Sequence, residues 1–294
     1  MKKTKIFCII ISVLLVSSIG LNIWQLFCSE DLQTLNWLQS AEFVNDTTLG
    51  ILVNSEEFRD GEDITITYDL ENDEYSRLRE KYKLDKIAGD GSEFSKAKNL
   101  MQEFSGRLRH SSSVAVSDEN MNAEYLLENY LDSKEGTYCR AKAQILNEVC
   151  LSLGIYSRKL WIIPLSVYDT ECHVVNEIWD SQYNKWIMLD ISNNLYWVDE
   201  KAEPLSMLEV RDKIINKEFC TPVTDDDDLN DLEKTRRNND YYYTYYVKNL
   251  AVLKYMDSYT VGETHGCYLL PVNFALKDDV KIISRKAVEN KPYA

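Results

Sequence analysis

At 294 residues, 45% apolar and 28% charged, the chain has the composition of a globular protein with room for one large domain or two small ones. Lys and Arg total 33 against 48 Asp and Glu, a formal charge of -15, which repels phosphate backbones and anionic headgroups and excludes nucleic acid as an expected partner. The seven cysteines (8, 28, 139, 150, 172, 220 and 267) have neither the paired spacing of a zinc site nor the density of a disulfide scaffold, so no metal and no cofactor is expected, and Cys220 and Cys267 would be bridged only if the fold brings them together.

Residues 1–5 carry Lys2, Lys3 and Lys5, and residues 6–27 then run without a charge, long enough as a helix to cross a hydrocarbon core. Basic residues before the run and Glu30 and Asp31 after it predict a short cytoplasmic tail (1–5), a single transmembrane signal-anchor (6–27) and an extracytoplasmic remainder at the cell membrane. A cleaved signal peptide, with Ser18 and Gly20 before the cut, is the alternative. Against it, residues 21–27 prolong the apolar run and put Trp24 near its outer end, as an anchor would. A lipid-modified Cys28 fits less well, because Leu26 and Phe27 are bulky where small residues are expected.

Residues 28–92 read as a polar extension with one strand at 63–70, in which Ile64, Ile66, Tyr68 and Leu70 alternate with Asp and Thr. The spacing of Phe94, Ala97, Leu100, Met101, Phe104 and Leu108 predicts an amphipathic helix over 93–109. A second helix is expected at 122–131 and a third at 139–153, with Leu146, Val149, Cys150 and Leu153 on one face and Gly154 as its stop. Three apolar runs, 159–165, 172–179 and 185–191, are bounded by turn formers such as Pro164, Asp169, Asp180, Ser181 and Asn184, and read as antiparallel strands with a hairpin at 180–185. The like-charge run 225–231 (DDDDLND) reads as part of a solvated acidic linker, 216–240, since it lacks the glycine turn and distal Glu of a calcium loop. Residues 241–294 read as a strand-rich or mixed segment.

A cysteine at a helix N-terminus meets unpaired backbone N–H groups and the positive end of the dipole, which favour thiolate over thiol and offer a donor to an oxyanion. Cys139 is therefore the candidate nucleophile, with Gly136 three residues earlier allowing a close approach. The thiol needs a base, and of the three histidines (110, 173 and 265) His173 opens a strand soon after the cysteine helix, whereas His110 and His265 fall in loops. Asp190 ends the next strand and can come level with the start of the His173 strand to orient the imidazole. Taken singly, each has a commoner structural use: buried small residue, satisfied core histidine, turn former. Glu177, four residues after His173, is a second candidate to tune the site, its plainer reading being a surface carboxylate. Trp161, Trp179, Trp186 and Trp197 are candidates to line a groove, their commoner use being core packing.

Gly136-Thr-Tyr-Cys139, then Ala143, Gly154-Ile155 and Arg158, then residues 173–179 (HVVNEIW) and Trp186-Ile-Met-Leu-Asp190 resemble the transglutaminase-like superfamily, in a bacterial-type, membrane-anchored form, over about 94–210. The resemblance implies an α+β, papain-like core in which the nucleophilic cysteine opens a central helix packed on an antiparallel sheet bearing His and Asp, here over 93–215. It implies a Cys139-His173-Asp190 triad acting on amide or peptide bonds of a peptide or protein substrate through an acyl-thioester, as a hydrolase or an amine acyltransferase. Val175 stands where members often have an aromatic, and Ile191-Ser192 where they often have Pro-Thr. No Trp lies between Trp37 and Trp161 to serve as a second oxyanion donor, Gln102 being a weaker candidate for that place. An inactive binding or scaffold domain at the cell surface is the competing expectation, motivated by those altered flanks.

Overall fold

A computed structural model describes residues 17–18, 47–112, 114–275 and 279–292. Residues 1–5 and, apart from Ser17 and Ser18, the apolar run 6–27 lie outside the described residues. Among the described residues no helix is long and apolar enough to cross a membrane.

The described chain is α+β. Helix α1 (Asp73–Tyr82) and the short α2 (Leu84–Ala88) lead into α3 (Glu93–Arg107), which Ser92 caps by accepting the Ser95 N–H at 3.2 Å. Ala97, Leu100, Met101 and Phe104 of α3 recur at three- and four-residue steps and are all buried. Helix α4 (Ala123–Tyr130) follows, capped by Asn122. Helix α5 (Cys139–Ser152) is buried along nearly its whole length, which a helix achieves only when neighbours cover every side. It ends where Gly154 takes a positive φ of 75°.

Strands β2 (Ser157–Ile163), β3 (His173–Asp180) and β4 (Lys185–Leu189) form an antiparallel run in which Ile162 faces His173 and Asp180 faces Lys185 across a tight hairpin. Asn184 sits in the left-handed region the turn requires, φ 53°. Asp180 ties this hairpin to α3, accepting the Phe94 N–H at 2.8 Å. Ile178, Ile187 and Leu189 pack with Ile145, Leu146 and Val149 of α5, whereas Val175, Trp179, Trp186 and Met188 pack in a separate cluster. Period-two alternation thus feeds two cores, and a sheet covered on both faces reads in sequence as a nearly continuous apolar run. Truncating a fully buried residue such as Ile178 to Ala costs about 2–5 kcal/mol.

Several expectations are corrected. Of the strand expected at 63–70, only β1 (Thr67–Tyr68) pairs, in parallel with β8 (Ser258–Tyr259). Its alternation holds, with Ile66 and Tyr68 buried, but a ladder needs a partner and this one is two residues long. The acidic linker, 216–240, contains β6 (Cys220–Thr224), which pairs with β5 (Leu195–Asp199), and helix α7 (Leu232–Asn238). Its carboxylates are used locally: Asp227 accepts from Thr224 and Asn239, and Asp231 caps α7. The tyrosine run near 241–246 lies in helix α8 (Asp240–Asn249). Beyond it, β7 (Val252–Met256) and β9 (Gly266–Leu269) extend the central sheet to the order β4-β3-β2-β7-β9. The C-terminal segment therefore contributes two strands to the sheet that bears His173, and Leu49–Ala294 form one compact unit. Helix α6 (Met207–Ile215), with a complete capping box between Ser206 and Glu209, and α9 (Arg285–Glu289) complete the elements used below. Cys139, Cys150, Cys172, Cys220 and Cys267 are all free thiols, so the Cys220–Cys267 bridge is absent.

Candidate active site

Tyr138 precedes α5 in extended conformation and offers it no side-chain cap. The first-turn N–H groups, that of Cys139 among them, therefore have neither an intrahelical nor a side-chain acceptor. The approach to Cys139 is fixed by a backbone crossing in which Thr137 donates to Arg109 O at 2.9 Å and Ser111 donates to Thr137 O at 2.9 Å. Gly136 makes that crossing possible: its φ is 72°, and a Cβ there would stand 2.7 Å from Arg109 O. The glycine admits neighbouring backbone, a narrower role than an approach for substrate. Cys139 itself is half-buried.

His173, at the first position of β3, is 4% exposed, and Asp190, just past the end of β4, is fully buried. The pairing of Asn176 with Leu189 brings Asp190 beside the start of β3. His173 Nε2 and Asp190 Oδ2 are 2.7 Å apart, which leaves Nδ1 as the other ring nitrogen, and Cys139 is near enough for its charge to act on the imidazole. Burial alone would lower the His173 pKa, but the charge and hydrogen bond of Asp190, joined by those of Cys139, raise it to about 10. Burial pushes the Asp190 pKa up, and His173, Tyr246 and Asn193 together bring it below the usual carboxylate range. The structure thus brings together the three residues that the sequence singles out.

Asp190 is itself held. Tyr246 Oη of α8 and Asn193 Nδ2 each donate to Oδ2 at 2.7 Å, and the Ser192 N–H donates to Oδ1 at 2.8 Å. Tyr245 and Tyr246 stand edge-on to the imidazole, with ring centroids 5.6 and 6.0 Å from its own. Locking the carboxylate this way fixes the ring it orients. Sequence reasoning missed Tyr246. A tyrosine run carries no mark of which hydroxyl turns inward, although Tyr246 sits four residues from Tyr242 on one helical stripe.

The remaining candidates lie elsewhere. Glu177 is buried rather than exposed and pairs with Arg158 at 2.6 Å while accepting the Met207 N–H at 2.7 Å. Gln102 spends its amide on Asp225, which removes the second oxyanion donor considered for it. Trp161, Trp179, Trp186 and Trp197 are core residues. His265 is exposed on the turn before β9. His110, set aside in the sequence, lies near enough to His173 for their charges to interact. No group of three or more metal-ligating side chains occurs among the described residues.

Residues 81–191 match the family model of the Transglutaminase-like superfamily, a span that contains Cys139, His173 and Asp190. The antiparallel α+β core described above is consistent with such a domain. No curated protein matches the chain. Among solved structures, one described as "a Putative Cysteine Protease from Cytophaga hutchinsonii" matches at 17% identity and a TM-score of 0.33, over 42% of this chain and 40% of that one.

Proposed function

We propose that the transglutaminase-like domain of this chain is a thiol enzyme that cleaves amide or peptide bonds, with Cys139 as nucleophile, His173 as the proton carrier and Asp190 as the group that orients the ring. The observation that carries this reading is the buried 2.7 Å contact between His173 and Asp190, made by a ring on which the charge of Cys139, at the uncapped start of α5, also acts.

The raised His173 pKa keeps the ring protonated near neutrality, ready to give its proton to the leaving amine. Sγ adds to the substrate carbonyl, and the Cys139 N–H donates to the oxygen that becomes negative. Collapse breaks the C–N bond as His173 protonates the nitrogen, leaving an acyl-thioester. Water completes hydrolysis, and an amine would complete cross-linking. Hydrolysis is the favoured outcome because a half-buried, extracytoplasmic thiol meets abundant water. Asp190 holds the imidazole in the productive tautomer, and Tyr246 and Asn193 hold Asp190.

Residues 6–27 anchor the enzyme in the cell membrane with the site outside, a reading that rests on the apolar run and its flanking charges. The full chain is expected in the membrane fraction, and deletion of 6–27 is expected to release it. For activity, the detergent-solubilised chain is incubated with a proteome-derived peptide mixture and a labelled primary amine. Mass shifts distinguish cleavage, deamidation and amine incorporation. Products that persist in Cys139→Ala would refute the mechanism.

A further inference from the structure

Burying a cation costs several kcal/mol unless an anion or a carbonyl meets it. Lys142, Arg158, Lys159 and Arg211 are buried among the described residues. Arg158 meets Glu177 and the Val288 carbonyl. Lys159 meets Glu263, and Arg211 donates to the carbonyls of Leu250, Glu56 and Ser55. Lys142 differs from all three: its side chain is 2% exposed, yet among the described residues its ammonium has neither a hydrogen bond nor an ion pair, and the nitrogen itself is left at the edge of solvent.

Its place on α5 says where that ammonium is directed. Lys142 is three residues after Cys139 on the same helix, about 4.5 Å farther along the axis. Side chains on a helix lean toward its N-terminus, so Lys142 runs back toward the Cys139 end. The backbone of residues 109–111 crosses Thr137 there and brings in His110. Burial lowers the Lys142 pKa, and the charges that oppose it are those of Asp190 and Cys139. Lys142 in turn acts on His110. The charge of Lys142 is therefore within electrostatic reach of the nucleophile, of the carboxylate that orients its base, and of His110.

We propose that Lys142 is the second oxyanion donor of this site, so that its ammonium and the Cys139 N–H together receive the negative oxygen formed when Sγ adds to a carbonyl. The inference rests on the reading of Cys139 as nucleophile. It accounts for a cation on a buried side chain left without a protein partner among the described residues, because the partner is an anion that exists only during reaction. Gln102 is engaged with Asp225 and is not available for the role.

Two reagents separate this role from others. In p-nitrophenyl acetate, Sγ bonds the acetyl carbon while the carbonyl pair moves to oxygen; the carbonyl then re-forms, the ester C–O bond breaks, and p-nitrophenolate leaves an acetyl-thioester. Iodoacetamide alkylates the same sulfur by displacing iodide, with no oxyanion. With the full chain in detergent, Lys142→Met is expected to slow Cys139 acetylation at least ~10-fold while alkylation keeps its wild-type rate. Lys142→Gln, which retains a neutral donor, is expected to recover part of the loss and supplies the same comparison if Lys142→Met does not fold. Acetylation at the wild-type rate in both variants overturns the inference, as does equal slowing of both reactions, which marks a role through the thiol or the fold. A wild-type protein alkylated but never acetylated at Cys139 overturns the reading of the nucleophile, and the inference with it.

Discussion

Strand β3 carries two buried ion pairs four residues apart, and their surroundings differ. Glu177 meets Arg158, whose guanidinium also donates to the Val288 carbonyl and lies 3.8 Å over the Trp186 ring and 4.9 Å over that of Tyr255. That pair is enclosed by core, so its consequence is structural: it ties β2 and β3 to α6 through the Met207 N–H and to the C-terminal helix α9 through Val288. The carboxylate of the other pair is equally saturated, by Tyr246, Asn193 and Ser192. Its cation, however, lies within electrostatic reach of a half-buried thiol at a helix start. Burial and charge pairing are shared by a structural pair and by the pair at the proposed active site. What separates them is whether one partner lies beside a group that is open to solvent.

The largest expected effect on the reactive side is that of Cys139→Ala, which abolishes acyl-enzyme formation in intact-mass measurements while leaving the thermal midpoint near wild type. Asp190→Asn is expected to lower turnover by about 10³–10⁴-fold through loss of the tautomer. On the structural side, Glu177→Ala leaves Arg158 buried without its anion and is expected to cost about 3–5 kcal/mol in chemical denaturation. Its turnover per folded molecule should stay close to wild type. A Glu177 variant that folds normally but loses turnover would erase the distinction between the pairs.

The His173–Asp190 pair is also expected to respond to pH. The folded His173 pKa is raised from 6.5 to about 10, so its contribution to stability is complete below the ordinary value and is lost as pH rises through about 10. Asp190 is lowered from 3.8, so its contribution is present above that value and is lost as pH falls through the lowered one. The stability advantage of wild type over His173→Ala is therefore expected to shrink between neutrality and about pH 10, measured by denaturation at a series of pH values. The smallest effect is that of Tyr246→Phe, which removes one of the hydrogen bonds to Asp190 and is expected to cost about 1 kcal/mol, read as a modest fall in turnover.

The helix opened by Cys139 and the strands bearing His173 and Asp190 are legible in the sequence, because their signals are local: a three-to-four spacing stopped by Gly154, and short apolar runs between turn formers. The burial of Glu177 is not legible. Alternation places it on a face, but only the pairing of β2 with β3 brings Arg158 opposite. Tyr246 lies 56 residues from Asp190 along the chain, and its role depends on α8 packing at the His173 end of the sheet. The acidic run at 225–231 misleads for a related reason, since carboxylates that cap a helix and close a turn have the composition of a linker. Lys142 adjoins a legible residue, yet its lack of a partner is a property of the packed molecule alone.

The most direct test of the central claim is the order in which thiols react. Cys172 is exposed and Cys139 only half-buried, so accessibility alone ranks Cys172 first. Iodoacetamide labelling at neutral pH, resolved by peptide mapping, is expected to modify Cys139 ahead of Cys172 in the wild-type protein and to lose that preference in His173→Ala. Cys172 reacting first in the wild type, or a Cys139 rate unchanged by His173→Ala, would contradict the account.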